Sequence, residues 1–186
     1  LIQGNILSGE KWQDHSVETS LALYTSLTAE ACSESGAEIV LWPETVITTS
    51  VRRNTEIADR ISELSRRTDA VIIVGCFDYE NVDDETLAYN SLLAFYPDGT
   101  VSENSYHKRH PVPFGEYLPS PGFFKTFLPA LAEMNVFSSD ISAGDSTELL
   151  KTEYGDIGSL ICFDSIYPDL ARESVAHGAE YILLST

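Results

Sequence analysis

The run Ala-Val-Ile-Ile-Val-Gly-Cys at positions 70–76 limits the folds open to this chain more than any other stretch. Its β-branched residues favour extended backbone, and apolar side chains on both faces predict a central strand covered from two sides. Two amphipathic helices precede it. Val17, Leu21, Tyr24, Thr28 and Ala31, with Leu23 and Leu27, recur at helical spacing up to a stop at Gly36. Asp14 or Ser16 caps this helix. A second amphipathic helix spans 55–67, with Ile57, Ile61 and Leu64 inward and Arg60, Glu63 and Arg66 outward.

Further strands are predicted at Leu1–Ile6, closed by a Ser8-Gly9 turn, and at Ala37–Trp42. Tyr79–Glu85 reads as an acidic loop. Leu87–Tyr96, the turn Pro97-Asp98-Gly99-Thr100 and Val101–Tyr106 read as a hairpin. Lys151–Tyr154 and Asp156–Asp164 give two strands around Gly155. A short helix over Asp169–Ala176, ended by His177-Gly178, leads to a last strand from Tyr181. There is no repeat, low-complexity tract or internal boundary, so residues 1–186 read as one α/β domain.

The chain has 186 residues, 43% of them hydrophobic, enough for a real core. No apolar run approaches the roughly 18 residues of a membrane span, and no secretory signal opens the sequence. The missing initiator Met and a last strand without a closing turn predict a fragment of something longer. A net charge of −18 opposes nucleic acid as a partner. Against this acidity Lys108, Arg109 and His110 stand together. Cys32, Cys76 and Cys162 show no metal-ligand spacing and do not form a disulfide framework; one functional thiol with two buried ones is the expectation, with no metal and no cofactor.

Three strand ends each carry a reactive group. Glu44 follows Leu41-Trp-Pro, where an acid just past a buried strand either serves catalysis or caps the next turn. Lys108 opens Tyr106–Pro119, a segment stiffened by Pro111, Pro113 and Pro119, which reads as a rigid catalytic loop or as a basic surface turn. Cys162 ends Gly158-Ser-Leu-Ile-Cys, where a strained strand-to-helix turn would expose a nucleophile and an apolar setting would bury a structural thiol. Phe123, Phe124, Phe127, Leu128, Leu131, Met134, Val136 and Phe137 form either core or an apolar wall beside the candidate site.

Taken together, Glu44, Lys108 and Cys162 resemble the Glu-Lys-Cys triad of the nitrilase (carbon–nitrogen hydrolase) superfamily. Gln3-Gly-Asn-Ile6 with Lys11-Trp12, Leu41-Trp-Pro-Glu-Thr45, Tyr89-Asn-Ser91, Tyr106–Pro119 and Ile161-Cys162 follow one another in that family's order. The Trp-Pro-Glu-Thr and Val-Pro-Phe-Gly-Glu-Tyr motifs are most similar to the branch that N-acylates apolipoproteins. The resemblance implies an α-β-β-α sandwich, truncated at its C-terminal side. It also implies attachment through parent-protein helices to a bacterial cell membrane, with this domain on the extracytoplasmic face. Phe163 and Asp164 stand where the branch commonly has Tyr and Glu, which loses a hydroxyl but keeps a carboxylate, and Pro111 stands where Leu is usual.

By the same resemblance Cys162 is the nucleophile, Glu44 the proton carrier and Lys108 the cation that favours the thiolate and the oxyanion. The supporting residues are Glu116, which orients Lys108 or the base unless it makes only a surface salt bridge, with Phe163, through its backbone N–H, and Asp164. Trp12, Phe114, Tyr117, Phe123 and Phe124 would contact substrate, although Trp12 also reads as a partly exposed packing residue. The implied partners are a phospholipid acyl donor and the diacylglyceryl-cysteine amine of a lipoprotein. Two other functions compete: a soluble amidase or nitrilase in which water resolves the acyl enzyme, and a non-catalytic interaction domain.

Overall fold

A computed structural model describes residues 1–13, 15–83, 85–117 and 141–186. After a four-residue helix α1 (Ser8–Lys11) come α2 (Ser16–Ser35), β1 (Ile39–Leu41), β2 (Ile47–Ser50), α3 (Thr55–Thr68), β3 (Val71–Val82), β4 (Glu85–Phe95) and β5 (Tyr106–His107). Then follow β6 (Leu150–Thr152), β7 (Gly155–Ile161), a 3-10 turn (Cys162–Ile166), α4 (Pro168–Ala176) and β8 (Tyr181–Ser185). The 70–76 run is the hub. Both β1 and β2 lie parallel along one edge of β3, while β4 pairs antiparallel on the other and carries β5. A second sheet has the order β6-β7-β8.

Alternation along β3 sorts the core into two layers. Ile72 and Val74 join Leu21, Tyr24, Trp42, Ile57, Ile61 and Leu64 beneath α2 and α3. Val71 and Ile73 face Leu150, Ile157 and Ile161 of the second sheet. On the far side of that sheet α4 lies so close to β7 that a Cβ at Gly158 would stand 2.6 Å from Cβ of Ser174. The layers therefore run helices, sheet, sheet, helix, the α-β-β-α sandwich. Each fully buried aliphatic side chain of these layers stabilises the fold by about 1.5–3 kcal/mol.

Helix ends follow local chemistry. The Asn54 side chain accepts from Ile57 N–H at 3.3 Å and starts α3. Gly36, at φ 64°, ends α2 in the left-handed conformation. The expected cap of α2 is different: Ser16 is its first, buried residue, His15 holds the cap position, and Asp14 lies outside the described residues.

Three strand assignments are corrected. Residues 1–6 are not a strand: Ile2 N–H reaches Leu41 O at 3.1 Å, but Gly4 then packs on the Tyr24 ring and Asn5 turns at φ 56°. Ser8-Gly9 is part of α1 rather than a turn closing a first strand. Residues 79–82 and Glu85 are strand rather than loop, because β3 and β4 pair out to Val82 opposite Glu85, with the ladder outweighing the acidic composition. The return strand expected at 101–106 shrinks to a bridge at Val101 and the two residues of β5. Arg52 draws the intervening chain away by donating to the carbonyls of Ser102 and Glu103, both at 2.8 Å. The edge strand β2 was not expected from the sequence.

Candidate active site

Glu44 occupies the gap between two strands on the same edge. β1 leaves β3 after Leu41, which pairs with Ile73, and β2 rejoins it where Ile47 pairs with Cys76. The turn between them rests on Gly75, where a Cβ would stand 2.1 Å from the Pro43 carbonyl oxygen. Only glycine admits this approach. Thr45 takes φ 43°, a conformation that non-glycine residues rarely adopt, and the Glu44 side chain reaches Asn90 of β4 and Lys108.

Lys108 arrives from β5, its N–H bonded to the Asn90 carbonyl of β4 at 2.8 Å. The side chain is 1% exposed, and its three ammonium protons face two carboxylates. Nζ lies 2.9 Å from Glu44 Oε1, 3.0 Å from Glu116 Oε1 and 2.8 Å from Glu116 Oε2. Asn90 Nδ2 donates to the same two residues, at 2.7 Å to Glu44 and 3.1 Å to Glu116. The Glu116 carboxylate is itself fixed by Val112 N–H at 2.7 Å, so the proline-bounded turn 111–117 closes upon its own acid.

Cys162 begins the 3-10 turn directly after β7, at φ 48°. A left-handed cysteine between a buried strand and a helical turn is strained, and such strain is held by its surroundings. Asp164 does much of the holding. It is completely buried and accepts from Tyr106 Oη at 2.9 Å, His110 N–H at 2.8 Å and Ile161 N–H at 3.1 Å. The carboxylate thus ties the cysteine turn to residues on either side of Lys108.

The electrostatics follow from burial and neighbours. Burial and then the Glu44 charge push the Cys162 thiol above its ordinary pKa, with Lys108 opposing. Burial works against the Lys108 ammonium, but hydrogen bonding to Glu116 and the charge of Glu44 outweigh it and leave the pKa raised. Burial first, and then the charge of Asp164, push Tyr106 far up, so its hydroxyl stays a donor. Cys32 and Cys76 are buried, and burial raises the Cys76 thiol to about 12. Neither has the exposed, electropositive setting of a reactive cysteine.

A profile of the Carbon-nitrogen hydrolase family matches residues 1–186. The chain belongs to the carbon–nitrogen hydrolase family. Among curated relatives, the apolipoprotein N-acyltransferase of Geobacter metallireducens is 34% identical over 98% of this chain, and that of Gloeobacter violaceus 32% identical over all of it. The chain spans 34% of the length of each. A carbon–nitrogen hydrolase from Helicobacter pylori G27 superposes with a TM-score of 0.65 at 21% identity, covering 91% of this chain and 55% of its own. An amidase from Nesterenkonia sp. AN1, solved with acrylamide added to its active-site cysteine, gives 0.64 at 18% identity, over 92% of this chain and 61% of that one. Those two share the carbon–nitrogen hydrolase fold.

Within this carbon–nitrogen hydrolase domain the other predicted residues are spread more widely. Phe163 and Tyr117 line a cavity of about 310 Å³ with His110, Pro111, Pro113 and Tyr167. Phe114 is 66% exposed at φ 62°, at the tip of the proline-bounded turn. Trp12 is 51% exposed, with its ring 6.2 Å from that of Phe77. Phe123 and Phe124, with the rest of the apolar stretch, lie outside the described residues. Asp164, itself within the cysteine turn, bonds Tyr106, His110 and Ile161.

Sequence reasoning assigned no role to two residues of this site. Asn90 bridges the carboxylates, and its only signal was the Tyr-Asn-Ser motif. Lys11 reaches the Glu44 turn from α1. Among the described residues no group of three or more His, Cys, Asp or Glu side chains is placed to hold a metal, and no helix is long and apolar enough to cross a membrane.

Proposed function

We propose that this chain is the catalytic domain of an apolipoprotein N-acyltransferase, a single domain working within a longer membrane protein on its extracytoplasmic face. The observation that carries the reading is the buried Lys108, clamped by Glu44 and Glu116 and within electrostatic reach of the left-handed Cys162. Such a group of thiol, carboxylate and cation suits acyl transfer through a thioester. The curated relatives, named as acyltransferases at up to 34% identity, favour transfer to an amine.

In the first half-reaction Glu44 takes the Cys162 proton as Sγ attacks the ester carbonyl carbon of a phospholipid. Lys108 and the backbone N–H of Phe163 stabilise the oxyanion. The ester C–O bond breaks, the leaving alkoxide receives the proton from Glu44, and a lysophospholipid departs from the thioester. In the second, the α-amine of a lipoprotein diacylglyceryl-cysteine attacks the thioester carbonyl and Glu44 accepts an amine proton. The C–S bond then breaks, the amide is released and the thiolate is reprotonated.

A second reading is supported by the solved relatives, which include an amidase. There water takes the place of the amine. Intact mass of the full-length protein after incubation with a phospholipid separates the readings. A fatty-acyl adduct on Cys162, discharged onto a diacylglyceryl-cysteine peptide, is the expected outcome. A correctly folded protein that forms no such adduct yet hydrolyses small amides would sink the acyltransferase reading. A folded protein that does neither would point to the non-catalytic interaction domain.

A further inference from the structure

Lys11 lies outside the Glu44, Lys108 and Cys162 set, yet its ammonium is built into the same turn. From the end of α1, Nζ donates to the Glu44 carbonyl oxygen at 2.8 Å and to Thr45 Oγ1 at 2.7 Å. These acceptors belong to the residue that carries the carboxylate and to its neighbour at φ 43°. Gly75 packs against the same turn, and Lys11 adds two hydrogen bonds to it. The Trp12 ring lies 5.8 Å from Nζ.

Charge counting gives Lys11 a second task. Glu44 and Glu116 carry two negative charges against the single positive charge of Lys108, which leaves this cluster at −1. The charged groups facing the thiol are Glu44 from the β1–β2 turn, Lys108 and Glu116 from the proline-rich segment, and Lys11 from α1. With Lys11 included, the four sum to zero. Moving the Cys162 proton to Glu44 keeps that sum and places the negative charge on sulfur, where a second cation favours it.

We propose that Lys11 is a positioning residue of this site, clamping the Pro43–Thr45 turn so that the Glu44 carboxylate stays upon Lys108, and supplying the second positive charge that balances the two carboxylates. The inference rests on the reading of Cys162 as nucleophile and Glu44 as its base. The Lys11 environment agrees with it: burial lowers its pKa, and the charges of Glu44 and Cys162 push back.

The test is alkylation of Cys162 by iodoacetamide across a pH series in the full-length protein, followed by intact mass, with a thermal melt as folding control. Lys11→Met removes both charge and donor, Lys11→Gln keeps a donor without the charge, and Lys11→Arg keeps both. Loss of one nearby positive charge should move the alkylation inflection of the Met and Gln variants upward by roughly one pH unit. The Arg variant should stay near wild type. Acyl transfer should fall further in the Met variant than in the Gln variant, on the order of tenfold below it, within the roughly hundredfold that a 1 Å misplacement of a catalytic group can cost. An unmoved inflection in the Gln variant overturns the charge role, and equal transfer rates for Met and Gln overturn the clamp. If the Met variant does not fold, the Gln and Arg pair decides: Gln shifted with Arg at wild type supports the charge role, and the two alike overturns it. Iodoacetamide needs neither acyl donor nor acceptor, so a wild-type protein that alkylates normally but transfers nothing would count against the acyltransferase reading and leave the Lys11 result standing.

Discussion

Lys108 Nζ lies 2.9 Å from Oε1 of Glu44 although the two residues are 64 positions apart, and the lysine side chain is almost wholly removed from solvent. A buried cation between two carboxylates is held by its neighbours more than by its own contribution to stability. Desolvating the three charges costs about as much as their attraction returns.

Removing the cation leaves Glu44 and Glu116 facing each other with their shared partner gone. Lys108→Met should therefore lower stability by about 3–5 kcal/mol, the usual consequence of breaking a buried ion pair from one side. Adding Glu116→Gln should recover part of that loss. Urea unfolding of the single and double variants measures both, and a Lys108→Met protein as stable as wild type would contradict the geometry.

Tyr106 and Asp164 join the Lys108 segment to the cysteine turn through one 2.9 Å hydrogen bond between completely buried groups. Tyr106→Phe removes the donor and leaves the carboxylate two backbone N–H partners. The expected loss is about 1.5–3 kcal/mol, the range for a hydrogen bond to a charged group. Because the bond braces Cys162, the iodoacetamide rate at that residue should change as well. A stability loss with unchanged Cys162 reactivity would separate the brace from the site.

At Gly75 even one methyl group collides with the turn that carries Glu44. Gly75→Ala should destabilise the fold by about 1–3 kcal/mol through overpacking. On the proposed reading, acyl transfer should also fall in the fraction that remains folded. Full activity in a folded Gly75→Ala protein would show that the turn shifts without consequence.

Cys76 gives a pH-dependent prediction. Its thiol titrates near 12 in the folded protein against an ordinary value of 9.0. Below 9 both states keep the proton and stability is unaffected. Between 9 and 12 the unfolded chain loses it while the folded chain does not, so stability falls with rising pH by about 1.4 kcal/mol per unit. Cys76→Ala should remove that part of the alkaline decline. Parallel denaturation series at pH 8 and 10 for the two proteins give the difference directly, and identical slopes would refute the assignment.

Much of this molecule could be read from periodicity. The 70–76 run, the helical faces at Leu21–Tyr24 and Ile57–Leu64, and the placement of Glu44 and Cys162 just past strand ends follow from local patterns of apolar and breaking residues. Such patterns act within a turn or a strand, and one sequence carries them in full. They misled where pairing partners outweighed composition: the acidic end of β3 is a strand because β4 runs beside it, and 103–105 leaves its hairpin because Arg52 draws it out.

What the linear chain could not specify is who meets whom across it. Whether Glu116 holds a lysine or merely decorates the surface depended on a turn that folds back on Val112 and on Asn90 arriving from another strand. Asp164, which sequence order places beside Cys162, serves as a brace to Tyr106 and His110, because a fully buried carboxylate must find several donors and these lie 54 to 58 residues away. Lys11 reaches Glu44 only once α1 packs over the β1–β2 turn. Local propensity determined the elements and their reactive ends. Burial of charge, satisfied largely by partners distant in sequence, decided how those ends came together.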